Sequence, residues 1–181
     1  MDFPILGDNE LSNVQGEMKR HKYIFGAGTR PHVGKDIINV DRLKLPGIDV
    51  IHDFEKFPYP FADSSGLHIN ATHVIEHLSN FFGFMDECHR ILSPGGTLYL
   101  ETPHAANIPL SFGDPTHRLH LIEHSFINYI TLEGVENFGY CKFAWSILWI
   151  KETDGVIVVH LMPIPVEAYQ DEILKRLNNL T

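Results

Sequence analysis

Short apolar runs separated by turn residues are the main pattern of this chain. The runs at 23–25, 37–40, 50–51, 67–71 and 97–100 have the length of strands, and Gly, Pro, Asn and Asp are frequent between them. Strands that alternate with crossover connections are typical of an α/β domain with a mainly parallel sheet. The pattern therefore predicts an α/β fold.

The clearest helical pattern covers 77–92, where apolar side chains recur at steps of three and four residues. The stretch 93–96, Ser-Pro-Gly-Gly, is predicted to end this helix and turn the chain into the next strand. Shorter helices are predicted at 11–18 and 125–132. An amphipathic helix is predicted at 166–180.

A hairpin is predicted near the carboxyl end of the chain. Apolar runs at 145–150 and 156–162 flank Thr153-Asp154-Gly155, and Asp-Gly between two such runs is a strong signal for an antiparallel pair. We expect a single domain over residues 1–181, with its core in 22–164.

Two of the predicted crossovers are too short for a helix of normal length. About eleven residues separate Phe25 from Ile37, and about seven separate Asp41 from Asp49, whereas a helical parallel connection needs about a dozen. One sheet face is therefore expected to lack some helices. Parallel strands that are covered on both faces are nearly continuous apolar runs. Here polar residues interrupt the strand pattern at Asn39, His52, His68 and Asn70. We expect the terminal segments or a second copy of the chain, in a homodimer, to cover that face.

Composition narrows the range of partners and compartments. The 14 basic and 23 acidic residues give a net charge of -9, which disfavours nucleic acid as a partner. No apolar stretch reaches membrane-spanning length, and the amino terminus lacks the basic and apolar regions of a secretory signal. We therefore expect no membrane partner. Cys88 and Cys141 are too few for a disulfide framework and form no Cys-x-x-Cys pair, so we expect a cytoplasmic protein.

The stretch from Tyr23 to Asp41 has the features of a nucleoside site. Gly26 and Gly28 allow a sharp turn after the first strand and a close approach of a ligand to the backbone. Asp41 ends the next strand, where its carboxylate can accept hydrogen bonds from ribose hydroxyls. A lone Gly-x-Gly is weak evidence, because many strands end in such a turn.

Seven sequence blocks, taken in order, resemble the class I S-adenosylmethionine-dependent methyltransferases, in particular small bacterial and phage proteins of the methyltransferase type 11 kind. The blocks are Tyr-Ile-Phe-Gly-Ala-Gly (23–28), Ile-Asn-Val-Asp (38–41), Val-Ile-His-Asp-Phe (50–54), Phe-Pro-Tyr-Pro-Phe-Ala-Asp-Ser-Ser (57–65), His-Val-Ile-Glu-His-Leu (73–78), Glu-Cys-His-Arg-Ile-Leu-Ser-Pro-Gly-Gly-Thr-Leu (87–98) and Thr-Pro-His (102–104). The resemblance implies a Rossmann-like fold with an antiparallel last hairpin. It departs from the usual pattern at Arg30-Pro31, where small residues often follow the glycines.

The resemblance implies S-adenosylmethionine as the cofactor and a set of residues that bind it. The glycines would face its methionine part, Asp41 the ribose, Asp53 and Phe54 the adenine, and Thr72 and His73 the surroundings of the sulfonium. The full predicted set is Gly26, Ala27, Gly28, Asp41, Arg42, Asp53, Phe54, Thr72 and His73.

The candidate catalytic residues are histidines, because an imidazole can remove a proton near neutral pH. His73, His104 and His117 are the predicted catalytic residues, and Asp114 and His117 belong to a predicted substrate loop within 107–121. The acceptor is expected to bind between this loop and the carboxyl edge of the sheet. A small molecule or a sugar is the expected acceptor.

Other interpretations remain open at the level of sequence. One is a binding or scaffold protein that keeps the fold without turnover. Another is a metal-dependent hydrolase that uses His104, Asp114 and His117, although Asp114 before a proline also starts ordinary turns. A nicotinamide-dependent dehydrogenase is disfavoured, because a third turn glycine is absent and Asp41 follows Gly26 by only about fifteen positions.

Overall fold

The computed structural model describes residues 20–168, which form a seven-stranded sheet with helices. The strands are β1 (His21–Phe25), β2 (Ile37–Asp41), β3 (Val50–Ile51), β4 (Gly66–Thr72), β5 (Leu92–Pro103), β6 (Trp145–Thr153) and β7 (Val156–Pro163). The helices are α1 (Phe81–Ile91), α2 (Ile108–Phe112), α3 (Glu123–Ile130) and α4 (Leu132–Phe138), with 3-10 turns at Ile75–His77 and Val166–Ala168.

The sheet confirms the predicted α/β fold. Its order is β3-β2-β1-β4-β5-β7-β6, with parallel pairs from β3 through β5 and an antiparallel β7 between β5 and β6. The predicted hairpin is present, and its turn residues Asp154 (φ 51°) and Gly155 (φ 80°) both have positive φ. The direction of winding changes between β1 and β4, which opens a crevice at the carboxyl ends of these strands.

The predicted start of the long helix at His77 is wrong. Residues 75–77 form a 3-10 turn, Leu78 is extended, and α1 begins only at Phe81. Asn80 sets this boundary, because its side-chain oxygen accepts a hydrogen bond from the Gly83 N–H at 2.9 Å. The apolar spacing continues through residues 75–78 because Ile75 and Leu78 are buried although they lie outside the α-helix.

The predicted turn at 93–96 is also different in the structure. Leu92 ends α1 with its N–H bonded to the Cys88 carbonyl, and the chain enters β5 at once. The extra residues are absorbed where the pairing shifts from Gly66 with Leu92 to His68 with Thr97. The Ser-Pro-Gly-Gly sequence therefore forms an irregular strand start.

The core lies on the face of the sheet that α1 and α3 cover. Aromatic side chains dominate it beside β1: Phe25 packs 4.7 Å from Phe54 and 5.8 Å from Phe61 between ring centroids. The segment 52–65, which has no helix, is held to α1 by Arg90, whose guanidinium donates to the carbonyl of Phe61 at 2.7 Å and to Asp63 at 2.6 Å. Aromatic packing thus takes the place of a crossover helix.

No helix occurs between β1 and β4, as the short connections predicted. Asn39, only 4% exposed, fastens the segment after β1 instead. Its side chain accepts from the His32 N–H at 2.8 Å and donates to the His32 carbonyl at 2.9 Å, while Asp49 accepts from the Asn39 N–H at 2.8 Å. Side-chain hydrogen bonds therefore shape the loops beside the crevice.

Two further predicted helices can be compared with the structure only in part. The predicted helix at 125–132 is present as α3, and α4 follows it after Thr131. The predicted helix at 11–18 and most of that at 166–180 lie outside the described residues. Within residues 20–168, no helix is long and apolar enough to span a bilayer.

Candidate functional site

A cavity of about 810 Å³ opens at the crevice between the carboxyl ends of β1 and β4. Loops that are distant in sequence form its two walls. One wall comes from the turns after β1, β2 and β3, and the other from the segment after β4 together with residues 115–118. The lining residues are Gly26, Gly28, Thr29, Asp41, Arg42, Leu43, Leu45, Asp53, Phe54, Glu55, His73, Val74, His77, Leu78, Pro115, Thr116 and Arg118.

The turn after β1 requires its glycines. Gly26 (φ 68°) and Gly28 (φ 54°) have left-handed backbone, and a Cβ added at Gly26 would overlap Cγ2 of Val74. The N–H groups of Gly26 and Ala27 bond to the Val40 carbonyl, which fixes the turn against β2. Ala27 itself is buried and does not line the cavity, in contrast to its predicted role.

Asp41 joins the glycine turn to the end of β2. One carboxylate oxygen accepts from the Gly28 N–H at 2.9 Å and the other from the Leu43 N–H at 2.8 Å. A carboxylate has about four acceptor positions, so each oxygen keeps a second lone pair. Since Asp41 lines the cavity, these lone pairs are available to a pair of ligand hydroxyls.

Asp53, Phe54 and Arg42 form the far end of this wall. Asp53 accepts from the Glu55 N–H at 3.1 Å, and it borders both the main cavity and an adjoining hollow of about 530 Å³. Phe54 lines the cavity but is only 7% exposed, because its ring packs into the aromatic core. Arg42 is exposed and borders both spaces.

His73 lies between two carboxylates at the end of β4. Its backbone has φ 54°, its Nδ1 is 3.0 Å from Oε1 of Glu76, and its Nε2 is 3.7 Å from Oε1 of Glu101. The hydrogen bond to Glu76 raises the pKa of His73 above its ordinary value. Nδ1–H therefore donates to Glu76, and the raised pKa favours the imidazolium, whose second N–H, on Nε2, forms no hydrogen bond to Glu101 at 3.7 Å.

Glu76 joins the segment after β4 to the loop that contains Leu119, and the sequence did not reveal its importance. It is 1% exposed, and its Oε2 accepts from the Thr102 hydroxyl at 3.1 Å. Its backbone carbonyl accepts from the N–H groups of Arg118 and Leu119 at 2.7 and 3.1 Å. The available signal was an acid between Ile75 and His77, with His73 three residues before it, but the role of an acid at the start of a helix explained it equally well.

The predicted substrate loop, 107–121, begins with the short helix α2, and its residues 115, 116 and 118 line the cavity. Asp114 accepts from both the N–H and the hydroxyl of Thr116, at 2.8 and 2.7 Å, and these bonds hold the pKa of Asp114 below its ordinary value. Thr116 Oγ1 lies 3.0 Å from Nδ1 of His77, and Arg118 pairs with Glu55 at 3.3 Å across the cavity. Pro115, rather than Asp114 or His117, joins these residues in the lining.

His104 does not reach the cavity, so its predicted place on the substrate side is not borne out by its position. Its Nδ1 accepts from the Ala106 N–H at 3.0 Å, and its Nε2 donates to Glu123 at 3.2 Å. No ring lone pair is left, and the contacts fasten the start of the loop. His104 therefore braces this region.

The ligand set suggested for a metal-dependent hydrolase is not assembled. Among the described residues, His104 groups with Glu123 and Glu152, whereas His117 groups with Glu76 and His77. The Nε2 of His117 is 3.9 Å from Asp114.

Thr72, another predicted cofactor residue, is also outside the cavity lining. Its hydroxyl donates to Asn70 at 3.2 Å on the opposite side of β4 from Ile69 and Ala71. Successive strand residues point to opposite faces, so the residue before His73 is directed toward the polar face. Among the lining residues that the sequence analysis had not identified are Val74, Leu78, Leu43 and Leu45.

Comparison with known proteins agrees with the geometry. Residues 32–100 match the family described as methyltransferase domain. The match covers 69 of the 181 residues and includes β2 to β4, α1 and most of β5. No curated protein matches the chain.

Solved structures show the same fold at low sequence identity. A putative methyltransferase from Bacillus halodurans C-125 has a TM-score of 0.55 and 14% identity, over 84% of this chain and 96% of that one. An S-adenosylmethionine-dependent methyltransferase from Mesorhizobium loti has a TM-score of 0.54 and 11% identity, over 84% and 95%. The putative methyltransferase solved with the Trm112 activator from Haloferax volcanii has a TM-score of 0.53 and 14% identity, over 85% and 87%.

The match to the methyltransferase domain over residues 32–100 indicates S-adenosylmethionine as the cofactor, and the cavity fits that group. Gly26 and Gly28 both line the cavity, and a Cβ at Gly28 would meet only the Gly26 carbonyl oxygen, at 3.9 Å, so a ligand can approach the backbone closely there. Asp41 presents free lone pairs at the end of the second strand, where ribose hydroxyls bind in related folds.

Proposed function

We propose that the chain transfers a methyl group from S-adenosylmethionine to a small acceptor molecule bound under residues 115–118. The observation that carries this proposal is one cavity lined on one side by the glycine turn, Asp41 and Asp53 and on the other by the substrate loop. Its volume of about 810 Å³ lies in the range of small-molecule sites, which is about 300–1,000 Å³.

The cofactor is assigned to the wall formed by β1, β2 and β3. The backbone at Gly26 and Gly28 would face its methionine part, and Asp41 would accept from the ribose hydroxyls. Asp53 would accept from the exocyclic amine of adenine, with Arg42 beside it. When bound, S-adenosylmethionine supplies a methyl group on a sulfonium, and the transfer requires in-line alignment of the acceptor.

The acceptor is assigned to the wall formed by His73, Leu78, Pro115, Thr116 and Arg118. His73 would donate a hydrogen bond to the acceptor from its Nε2–H while Glu76, bonded to Nδ1, holds the ring. The Arg118–Glu55 pair lies across the two walls, so the bound acceptor would be screened from water by a contact that can open. Positioning is thus the main contribution of these residues.

The scaffold alternative predicts an intact glycine turn with no room for an acceptor. The cavity extends past the glycine turn to Thr116 and Arg118, which favours turnover over a purely structural role. A net charge of -9 supports a small molecule or sugar rather than a nucleic acid as acceptor.

Calorimetric titration with S-adenosylmethionine and S-adenosylhomocysteine tests the proposal. We expect binding of both, and we expect Asp41→Asn to weaken it about tenfold or more, because a hydrogen bond to a charged group is worth about 1.5–3 kcal/mol. Asp154→Asn is the matched control, since Asp154 is an exposed hairpin residue with positive φ that Asn tolerates. Absence of heat at millimolar ligand, or equal affinities of the two variants, would contradict the proposal.

A further inference from the structure

Three potential metal ligands converge beside the acceptor wall. One carboxylate oxygen of Glu76 and one ring nitrogen each of His77 and His117 lie within 4.8 Å of one another. Glu76 is buried, both imidazoles are partly buried, and His77 lines the cavity. Two imidazoles and a carboxylate are a ligand set that zinc and iron(II) accept in proteins.

The hydrogen bonds of His117 leave a lone pair available. Its Nδ1 is 2.9 Å from the backbone carbonyl of Ser111, which can only accept, so the proton is on Nδ1. In the neutral ring Nε2 then carries a free lone pair. A backbone carbonyl that fixes the tautomer in this way is the usual support for a histidine that binds a metal.

A similar argument applies to His77. The Thr116 hydroxyl donates to Asp114 at 2.7 Å, so its single proton is already used. The 3.0 Å contact between Thr116 Oγ1 and Nδ1 of His77 therefore has the imidazole as donor. Nε2 of His77 is left with its lone pair, and the chain Asp114, Thr116, His77 fixes the orientation of the ring.

Glu76 is positioned as the third ligand by contacts that leave acceptor capacity. Oε1 accepts from His73 and Oε2 from Thr102, which accounts for one lone pair on each oxygen. The backbone carbonyl of Glu76 binds the N–H groups of Arg118 and Leu119, next to His117 in sequence. The same contacts that close the loop therefore bring the ligand atoms together.

The second grouping, His104 with Glu123 and Glu152, lacks these properties. His104 uses Nδ1 to accept from the Ala106 N–H and Nε2 to donate to Glu123, so neither nitrogen is free. Glu152 is exposed. The two clusters contain similar residue types. They differ in that His77 and His117 each have a ring nitrogen with an available lone pair, whereas His104 has none.

We propose that Glu76, His77 and His117 bind one divalent transition-metal ion at the acceptor wall. Three protein ligands leave at least one position open, as is usual for metal sites that bind a substrate. Because His77 lines the cavity, that position can take an oxygen atom of the acceptor. This last step rests on the proposed function, and it narrows the acceptor class to molecules with a hydroxyl or carboxylate oxygen next to the methylated atom.

Titration of the chelator-treated full chain with Co²⁺ tests the site without any methyl transfer. We expect one Co²⁺ per chain, a visible absorption band that zinc removes, and at least about tenfold weaker binding for His77→Gln and His117→Gln. Thr116→Val should weaken binding by about 10- to 100-fold through the orientation of His77, as losses of supporting hydrogen bonds do in other metal sites. His124→Gln, at an exposed histidine outside both clusters, should leave the affinity unchanged.

No Co²⁺ binding at millimolar concentration, or binding that His77→Gln and His117→Gln leave unchanged, would overturn the proposal. Weaker Co²⁺ binding in His104→Gln, with unchanged binding in the other two variants, would also overturn the proposal, because the ion would then be in the other cluster. The result is independent of the cofactor: a chain that binds Co²⁺ but not S-adenosylmethionine would contradict the proposed function alone. A chain that binds S-adenosylmethionine but not Co²⁺ would contradict only the metal site.

Discussion

Gly26 is the residue at which backbone conformation and side-chain packing are most tightly coupled. Its left-handed φ is disfavoured for any residue with a Cβ, and the Cβ would also overlap Val74. Neighbouring site residues depend on the same turn, because Gly28 donates to Asp41. A single methyl group added at Gly26 is therefore expected to displace the glycine turn and, through Gly28, the carboxylate of Asp41.

We predict that Gly26→Ala destabilises the protein more than Gly139→Ala, by about 1–3 kcal/mol, because only the former overpacks a neighbour. Gly139 is a matched control: its φ of 64° is close to the 68° of Gly26, and a Cβ there would meet nothing within 4 Å. Urea unfolding of the two variants measures the difference. Equal free energies of unfolding would contradict the overlap with Val74.

Sequence identified the site residues that adjoin strand ends and missed those fixed by distant contacts. Gly26, Asp41 and Asp53 follow apolar runs, so their positions at the sheet edge could be predicted from local pattern. Glu76 could not be understood locally, because its partners Thr102 and Arg118 lie about 26 and 42 positions away. The role of a polar side chain depends on which groups donate hydrogen bonds to it and which accept from it. A single segment of the sequence does not specify these partners.

At the level of elements, apolar runs predicted the strands well and the helix boundaries less well. The start of α1 shifted to Phe81 because Asn80 caps it, while buried residues before it kept the helical spacing although they lie outside the α-helix. The short connections predicted that crossover helices would be missing. They did not predict which contacts replace those helices. Asn39 and the aromatic segment 52–65 do so through contacts that have no periodic signature.

One contact between elements makes stability depend on pH. His89 of α1 stacks on Phe143 with ring centroids 4.7 Å apart, and its Nε2 donates to the Ile164 carbonyl at 3.0 Å. Burial lowers the pKa of His89 below 6.5. The unfolded chain therefore binds a proton more readily than the folded one, and stability falls as the pH drops below about 6.5.

We predict that the free energy of unfolding decreases from pH 7 to pH 5.5 and that His89→Gln reduces this decrease. Burial also lowers the pKa of His52 and His68, so part of the dependence should remain in the variant. His124→Gln, at an exposed position, should keep the full dependence. Denaturant unfolding at both pH values measures the decrease in the free energy of unfolding. The same decrease in His89→Gln and His124→Gln would rule out the role of His89.

For the molecule as a whole, the two sheet faces are unequal. α1 and α3 contribute to the core on one face, whereas the other presents alternating polar side chains that include Asn70, Tyr99, Glu101 and His160. Trp149 pairs with His160 on that side and is 45% exposed. The strand order was not predicted, because pattern alone does not specify which strands are neighbours; the family resemblance implied only the antiparallel last hairpin.

The homodimer remains a prediction. If a second copy covers the polar face, light scattering should give twice the mass of the chain, and Trp149→Lys should convert the dimer to a monomer. Phe138→Lys is the control, since Phe138 is a 51% exposed aromatic on α4, away from the sheet. A monomeric wild-type protein at the concentrations used for calorimetry would contradict the prediction.

The hairpin turn gives the substrate loop its support. The carbonyl of Gly155 accepts from the His104 N–H at 2.9 Å, and the Asn107 side chain occupies the space where a Cβ of Gly155 would be. The cofactor wall depends on the other end of the sheet, through β1 and β2. Separate ends of the sheet thus support the two walls of the cavity, so a change at the Asp154-Gly155 turn would reshape the loop wall and leave the glycine turn and Asp41 in place.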